Sequence, residues 1–206
     1  LALLLRQLDP NSGQVSYDSS DLTNMNLELF RNQVGIVPQE VFLFSDTIKN
    51  NILFGANNNS ATEAELKESC ETADIYDTIL SFEDDFDTML GERGVNLSGG
   101  QKQRISIARA LLRGPKLLIL DDCLSAVDTE TENRILERLK EKSADQTTVI
   151  VSHRISTIRN AEKIIVIDQG EMIEEGSHES LLKNKGFYFD MYQQQLSEES
   201  NDKDED

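Results

Sequence analysis

The sequence of 206 residues contains no tryptophan, only three prolines, two cysteines and two histidines. Positive charge is scarce: 20 Lys and Arg stand against 38 Asp and Glu, giving a formal net charge of -18. No run approaches the roughly 20 apolar residues that cross a bilayer, and the leucine-rich start at 1–5 is too short for a span or a signal peptide. Nothing repeats internally. Each absence excludes something. An acidic chain without a basic stripe argues against nucleic-acid binding. Cys70 and Cys123 lack metal-type spacing, and Cys123 follows a buried-strand pattern, which suits a reduced thiol in a cytosolic protein. What remains, 38% hydrophobic, suits one globular domain with room for a subdomain. The acidic tail at 196–206 reads as solvated and disordered.

Along the chain, residues 1–8 read as helix, stopped by Asp9-Pro10 because proline disfavours helix at the residue before it. A short strand at 14–17, a short helix at 26–33 and a strand at 34–37 follow, the last ending at Pro38-Gln39. From about Val41 the pattern turns helical. Ile48 and Ile52 lie one turn apart after Ser45-Asp46-Thr47, a loop is expected at 57–60, and Thr62 with Glu65 forms a capping-box pattern. More helix is expected around 73–80, and Gly114-Pro115 stops the helix after residue 98. The unalternating run Leu117-Leu118-Ile119-Leu120 fits a parallel strand buried on both faces. A helix at 130–142 with Ile135, Leu136 and Leu139 inward, and strands at 147–151 and 163–168, complete an alternation that predicts an α/β sheet.

Several short motifs carry chemistry. Asp121-Asp122 ends the apolar strand, and a carboxylate at the C-terminal edge of a parallel strand faces the crevice where α/β sheets bind ligands. Taken alone, a helix cap in a strand-to-helix turn explains Asp121 as well as a metal ligand does. Leu97-Ser98-Gly99-Gly100-Gln101 offers a hydroxyl, two glycines that let backbone N–H groups approach a phosphate, and the positive end of the helix that follows. A plain serine N-cap is the competing structural reading. Downstream come Ser125-Ala126-Val127-Asp128 and Val151-Ser152-His153.

In this order and spacing, from residue 1 to about 192, these segments resemble the nucleotide-binding domain of an ATP-binding-cassette (ABC) transporter of the exporter type. The resemblance implies a RecA-like P-loop NTPase core with an all-helical signature subdomain. Residues 1–39 would be an N-terminal remnant of the core, 40–114 the helical subdomain, 115–195 the rest of the core and 196–206 the tail. It implies ATP and Mg²⁺ as cofactors. Asp121 would hold Mg²⁺; Gln39, after Val-Pro at a strand end, would reach Mg²⁺ and the attacking water; His153 would contact the γ-phosphate. Ser98, Gly99, Gly100 and Gln101 would act on the ATP of a second ABC subunit, with Asp128 communicating across the dimer and Glu92, in Gly91-Glu92-Arg93-Gly94, facing a membrane domain. Each has a competing structural reading: a surface amide for Gln39, a solvated turn for Glu92, an N-cap for Asp128. No catalytic role is assigned to the second histidine, His178.

Two departures from the family pattern stand out. The phosphate-cradling GxxxxGK[ST] motif is absent from these 206 residues, and the opening LALLLRQLDPNSGQV resembles the helix that follows it. Leu1 is therefore expected to sit within a few residues of a lost P-loop Ser or Thr, and the 206 residues alone are expected to bind ATP negligibly and not to hydrolyse it. Asp122 stands where the family carries a catalytic Glu. A carboxylate withdrawn by about an ångström can cost roughly 100-fold in rate. The pattern resembles the weak-site half of a heterodimeric exporter on the cytoplasmic face of a cell membrane, joined to a transmembrane domain that is not in this sequence. A homodimer, a non-hydrolysing regulatory module and a soluble ABC ATPase are the alternatives.

Overall fold

The structure is a computed structural model that describes residues 1–56, 61–94, 96–142 and 145–203. The loop expected at 57–60 lies outside the described residues. The chain forms two compact units, Leu1–Val149 and Ile150–Asp206.

The first unit opens with a hairpin, β1 (Ser16–Tyr17) against β2 (Ser20–Asp21). Its two turn residues, Asp18 and Ser19, sit at φ 47° and 63°, the left-handed pair that a two-residue hairpin loop needs. Helix α1 (Leu27–Arg31) starts at Asn26, whose side-chain oxygen accepts from the amides of Glu28 and Leu29. Strand β3 (Val34–Val37) runs parallel to β4 (Leu117–Asp121), and β5 (Thr147–Val151) completes a sheet in the order β3–β4–β5. β4 is buried from Leu117 to Leu120, as an unalternating apolar run in a parallel sheet should be. Gly35 is required by close approach, because a Cβ there would lie 2.9 Å from Pro115 Cγ and 3.0 Å from the Ala110 carbonyl.

Between β3 and β4 the named elements are helical: α2 (Ile48–Leu53), α3 (Glu63–Thr72), α4 (Tyr76–Leu80) and α5 (Gly99–Leu112). The starts of α2, α3 and α5 are capped by side chains, whereas α4 begins at Ile75 without one. The Thr47 hydroxyl accepts from the Asn50 amide, Thr62 and Glu65 form a complete capping box, and so do Ser98 and Gln101. Leu43, Ile48, Ile52, Cys70, Ile75, Ile79, Ile105 and Ile107 form the buried lining of this region. Helix α6 (Thr129–Glu141) buries Ile135 and Leu139, whereas Leu136 is half-buried rather than fully inward.

The expected helix at 1–8 is replaced by a single turn. The Leu5 amide donates to the Leu1 carbonyl at 2.9 Å, but Arg6 then enters the left-handed region at φ 49° and ends the coil. Tertiary bonds hold it there: the Arg6 guanidinium donates to the carbonyls of Thr23 and Met25 at 2.9 and 3.0 Å.

The second unit contains α7 (Ile155–Ile158), the antiparallel pair β6 (Ile164–Asp168) and β7 (Glu171–Gly176), α8 (His178–Asn184) and α9 (Phe187–Lys203). Ile155, Ile164, Leu181 and Tyr188 make its core. The tail corrects the sequence reading: α9 continues through Lys203, although disorder is expected from 196. Local pairing extends it, with Ser197 Oγ donating to the Gln193 carbonyl at 2.9 Å and Gln194 Nε2 to Glu198 Oε1 at 3.1 Å.

Candidate functional site

Parallel pairing in register brings the first two candidate residues together. Val37 pairs with Leu120, and Gln39 and Asp122 each stand two residues beyond that pair, at the C-terminal edge of the sheet. Gln39 Nε2 donates to Asp122 Oδ2 at 3.4 Å, a long contact between residues 83 apart in sequence. Asp122 adopts φ 44°, a left-handed conformation that aspartate tolerates better than most residues. Such outliers cluster at functional sites. Ser125 Oγ donates to the Asp122 carbonyl at 3.0 Å and closes the turn.

Asp121 and Asp122 are half-buried, and neither is paired with a cation among the described residues. Two adjacent carboxylates and the Gln39 amide oxygen are hard oxygen donors of the kind a Mg²⁺ ion takes. No group of three or more His, Cys, Asp or Glu side chains that could hold a metal occurs among the described residues. An ion here would therefore draw the rest of its shell from water or a ligand. Cys123, next along, is buried at 1% exposure, and that burial pushes its thiol up to about 12, so it is inert rather than nucleophilic.

The loop from Asp122 to Asp128 then crosses the start of α5. A Cβ on Gly100 would lie 2.8 Å from the Ala126 carbonyl oxygen, and one on Gly99 would lie 3.3 Å from Ala126 Cβ. Packing within the chain therefore excludes a Cβ at Gly100 and leaves only a tight fit for one at Gly99. The Ala126 amide donates to Gln103 Oε1 at 3.1 Å, fixing the same contact from one turn further along. At the helix start, Ser98 Oγ accepts from the Gln101 amide at 3.2 Å and Gln101 Oε1 accepts from the Ser98 amide at 2.9 Å. The amides of Gly99 and Gly100, in the first turn, have no acceptor inside the helix and carry its positive end.

Asp128 caps α6. The Thr131 amide donates to Asp128 Oδ1 at 2.9 Å, and this bond holds the carboxyl below its ordinary 3.8. The structural reading of Asp128 is thus realised, and it leaves the second carboxylate oxygen for another role. Glu92 is exposed on a short turn, Glu92–Gly94, set by Gly94 at φ 65° packing against Leu43. It is not joined to the Gln39–Asp122 edge by any described bond.

His153 belongs to the second unit. It stands two residues past β5, exposed, with its carbonyl accepting from Gln195 Nε2 at 2.7 Å. Gln195 Oε1 also accepts from the Ile155 amide at 2.9 Å, so one α9 side chain pins both flanks of Arg154. Neither Gln195 nor Gln103 could have been found in the sequence: each is an unremarkable helical glutamine until tertiary packing supplies its partner. His178 is structural, with Nδ1 2.8 Å from the Tyr188 hydroxyl.

Residues 1–125 match the family model described as ABC transporter, and the chain belongs to this family. It is 44% identical over its whole length to "ATP-binding cassette sub-family B member 6" of Xenopus tropicalis, of which it spans 24%. It is 43% identical over 96% of its length to "ATP-dependent lipid A-core flippase" of Syntrophus aciditrophicus, of which it spans 32%. Among solved structures, a bacterial Atm1-family ABC exporter with ATP bound superposes with a TM-score of 0.90 at 40% identity, covering 95% of this chain and 34% of that one. The match supports the RecA-like α/β fold with exporter-type relatives, and the chain accounts for roughly a quarter to a third of each of these three proteins. No described helix is long and apolar enough to cross a membrane.

Proposed function

We propose that this chain is the ATP-binding and ATP-hydrolysing part of an ABC exporter, and that it works as a nucleotide-sandwich dimer on the cytoplasmic face of a membrane. The observation that carries the reading is the Gln39–Asp122 pair at the C-terminal edge of β3 and β4, beside Asp121. In this reading Asp121 and Gln39 hold Mg²⁺, and a bound Mg²⁺ would neutralise developing phosphate charge. Asp122 accepts a proton from the attacking water while Gln39 orients it, and His153 steadies the γ-phosphate. Ser98, the Gly99 and Gly100 amides and Gln101 bind the ATP held by the second subunit, and Asp128 signals across the dimer. Residues 1–39 and 115–195 form the ATP-binding core and 40–114 the helical subdomain, whose Glu92 faces the membrane domain.

The chain's own site is the weaker of two. Asp122 is one methylene shorter than glutamate, and a shortfall of about an ångström at a general base costs up to roughly 100-fold. Its intact Leu97–Gln101 start serves the partner's site, so the assembly is a heterodimer in which the other subunit does most of the hydrolysis. The deciding experiment is the ATPase rate of the reconstituted full-length assembly, with Asp122→Glu compared with the parent. A rise supports the weak-site reading. No measurable ATPase in either, with nucleotide still bound, would favour a regulatory module instead.

A further inference from the structure

We propose that Asp74 is a positioning residue for the loop at 122–128, acting through Arg134 and Thr131; this rests on the site reading above. Asp74 lies just past the C-terminal end of α3, the opposite end from its capping box. The Asp74 amide donates to the Glu71 carbonyl and the Ile75 amide to the Cys70 carbonyl, both at 3.0 Å, with Asp74 at φ 53°. This is the bond pattern of a helix closed by a left-handed residue, a place that glycine normally fills because a Cβ is disfavoured there. The chain instead places a carboxylate there and engages it fully.

Two guanidiniums of α6 hold that carboxylate. Arg134 donates to Oδ2 from Nη2 at 2.9 Å and from Nε at 3.2 Å, and Arg138 donates to Oδ1 at 2.7 Å. The Asp74 side chain is only 16% exposed, so this pairing is screened less than a surface pair. Backbone contacts reinforce it: Arg104 of α5 donates to the Asp74 carbonyl, and Arg138 to the Glu71 carbonyl. Lys142 reaches Glu68 at 2.7 Å one turn away.

The connection continues toward the site. The same Arg134 Nη2 that binds Asp74 also donates to Thr131 Oγ1 at 2.8 Å. Thr131 in turn donates its amide to Asp128 Oδ1 at 2.9 Å. A continuous hydrogen-bonded line therefore runs Asp74–Arg134–Thr131–Asp128 and ends in the loop whose Ala126 rests on Gly99 and Gly100. Asp74 thus fixes the register of α6 and, with it, the loop that begins at Asp122.

Asp74→Gly separates the two roles of the residue, because glycine relieves the left-handed backbone while deleting the carboxylate. Amide hydrogen exchange and thermal unfolding are measured on the full-length protein, with ATPase kinetics alongside. The expected result is exchange at the Thr131 amide faster by about tenfold with the melting temperature held or raised. ATPase kcat should fall by about tenfold with KM for ATP changed less than about twofold, since a misplaced loop costs rate rather than binding. Asp74→Asn, which keeps the turn and loses the charge, should reproduce the exchange effect in part. Asp74→Gly combined with Arg134→Gln should be no worse than the worse single variant, the mark of a shared line. Unchanged exchange at Thr131 in Asp74→Gly overturns the proposal. So does a lowered melting temperature with exchange raised evenly through α3 and α5, which would make Asp74 a turn residue only. Absence of ATPase in the parent protein would count against the proposed function, while the exchange result still decides the role of Asp74.

Discussion

Gln39 and Asp122 meet at 3.4 Å although 83 residues separate them, because each stands two residues beyond one in-register pair, Val37 and Leu120. The contact is long, and the Asp122 backbone is already in the left-handed region at φ 44°. Asp122→Glu extends the carboxylate by one methylene toward the crevice. With the partner subunit's site silenced, the expected outcome in the full-length assembly is a rise in ATPase of about tenfold or more, within the roughly 100-fold that an ångström of misplacement can cost. Asp122→Asn should lower the rate below the parent. Phosphate release under saturating ATP checks both, and an unchanged rate in Asp122→Glu removes Asp122 as the limiting group.

Gly100 has no room for a side chain, since a Cβ would sit 2.8 Å from the Ala126 carbonyl. Gly100→Ala should therefore destabilise the fold by about 1–3 kcal/mol through overpacking against backbone. Gly99→Ala, facing Ala126 Cβ at 3.3 Å, should cost less. Urea unfolding of the two variants gives the order directly, and equal stability for both would contradict the packing account.

Asn51 is 1% exposed and spends its whole side chain on other residues. Its Oδ1 accepts from the Phe44 amide and from Arg109 Nη2, both at 2.9 Å, and its Nδ2 donates to the Phe44 and Thr47 carbonyls, both at 3.0 Å. Arg109, whose burial lowers its pKa to about 10, depends on these neutral acceptors and on the Phe42 carbonyl at 2.8 Å. Asn51→Leu should cost about 2–4 kcal/mol by leaving several buried partners unpaired, more than the roughly 1 kcal/mol of a single hydrogen bond. Chemical denaturation measures it.

Acid should weaken the caps. Asp128 is held below its ordinary 3.8 by the Thr131 amide, and Glu65 below its ordinary 4.5 by the Thr62 amide. A carboxyl whose pKa is lowered by folding contributes stability that is present above the unfolded value and is lost as pH falls through the folded one. Stability should therefore fall below about pH 4.5, and Asp128→Asn, which caps without titrating, should flatten part of that decline. Melting temperature against pH tests it, and an identical acid limb in the variant would show that Asp128 does not contribute.

Gln195 holds the His153 carbonyl and the Ile155 amide together. Gln195→Leu should speed exchange of the Ile155 amide by about fivefold, the equivalent of one hydrogen bond of about 1 kcal/mol. Exchange at Leu181, in the core of the same unit, should not change.

The sequence by itself determined what is local. The capping box at Thr62, the serine cap at Ser98, the buried run at 117–120 and the stop at Gly114 follow from residues a few positions apart, where hydrogen bonding and burial need no distant partner. It also named the family, because order and spacing of motifs survive without knowledge of contacts. What it misjudged were elements whose fate lies elsewhere: residues 1–8 are uncoiled by bonds from Arg6 to Thr23 and Met25, and the tail at 196–203 is helical by extension of α9. Only the tertiary structure decided that Ala126 rests on Gly99 and Gly100 and leaves no room for a Cβ at Gly100, that Asp74 faces two arginines, and that Gln39 finds Asp122. These contacts join residues tens of positions apart, and a chain's local chemistry does not encode which distant group will fill a given space until the strands pair and the helices pack.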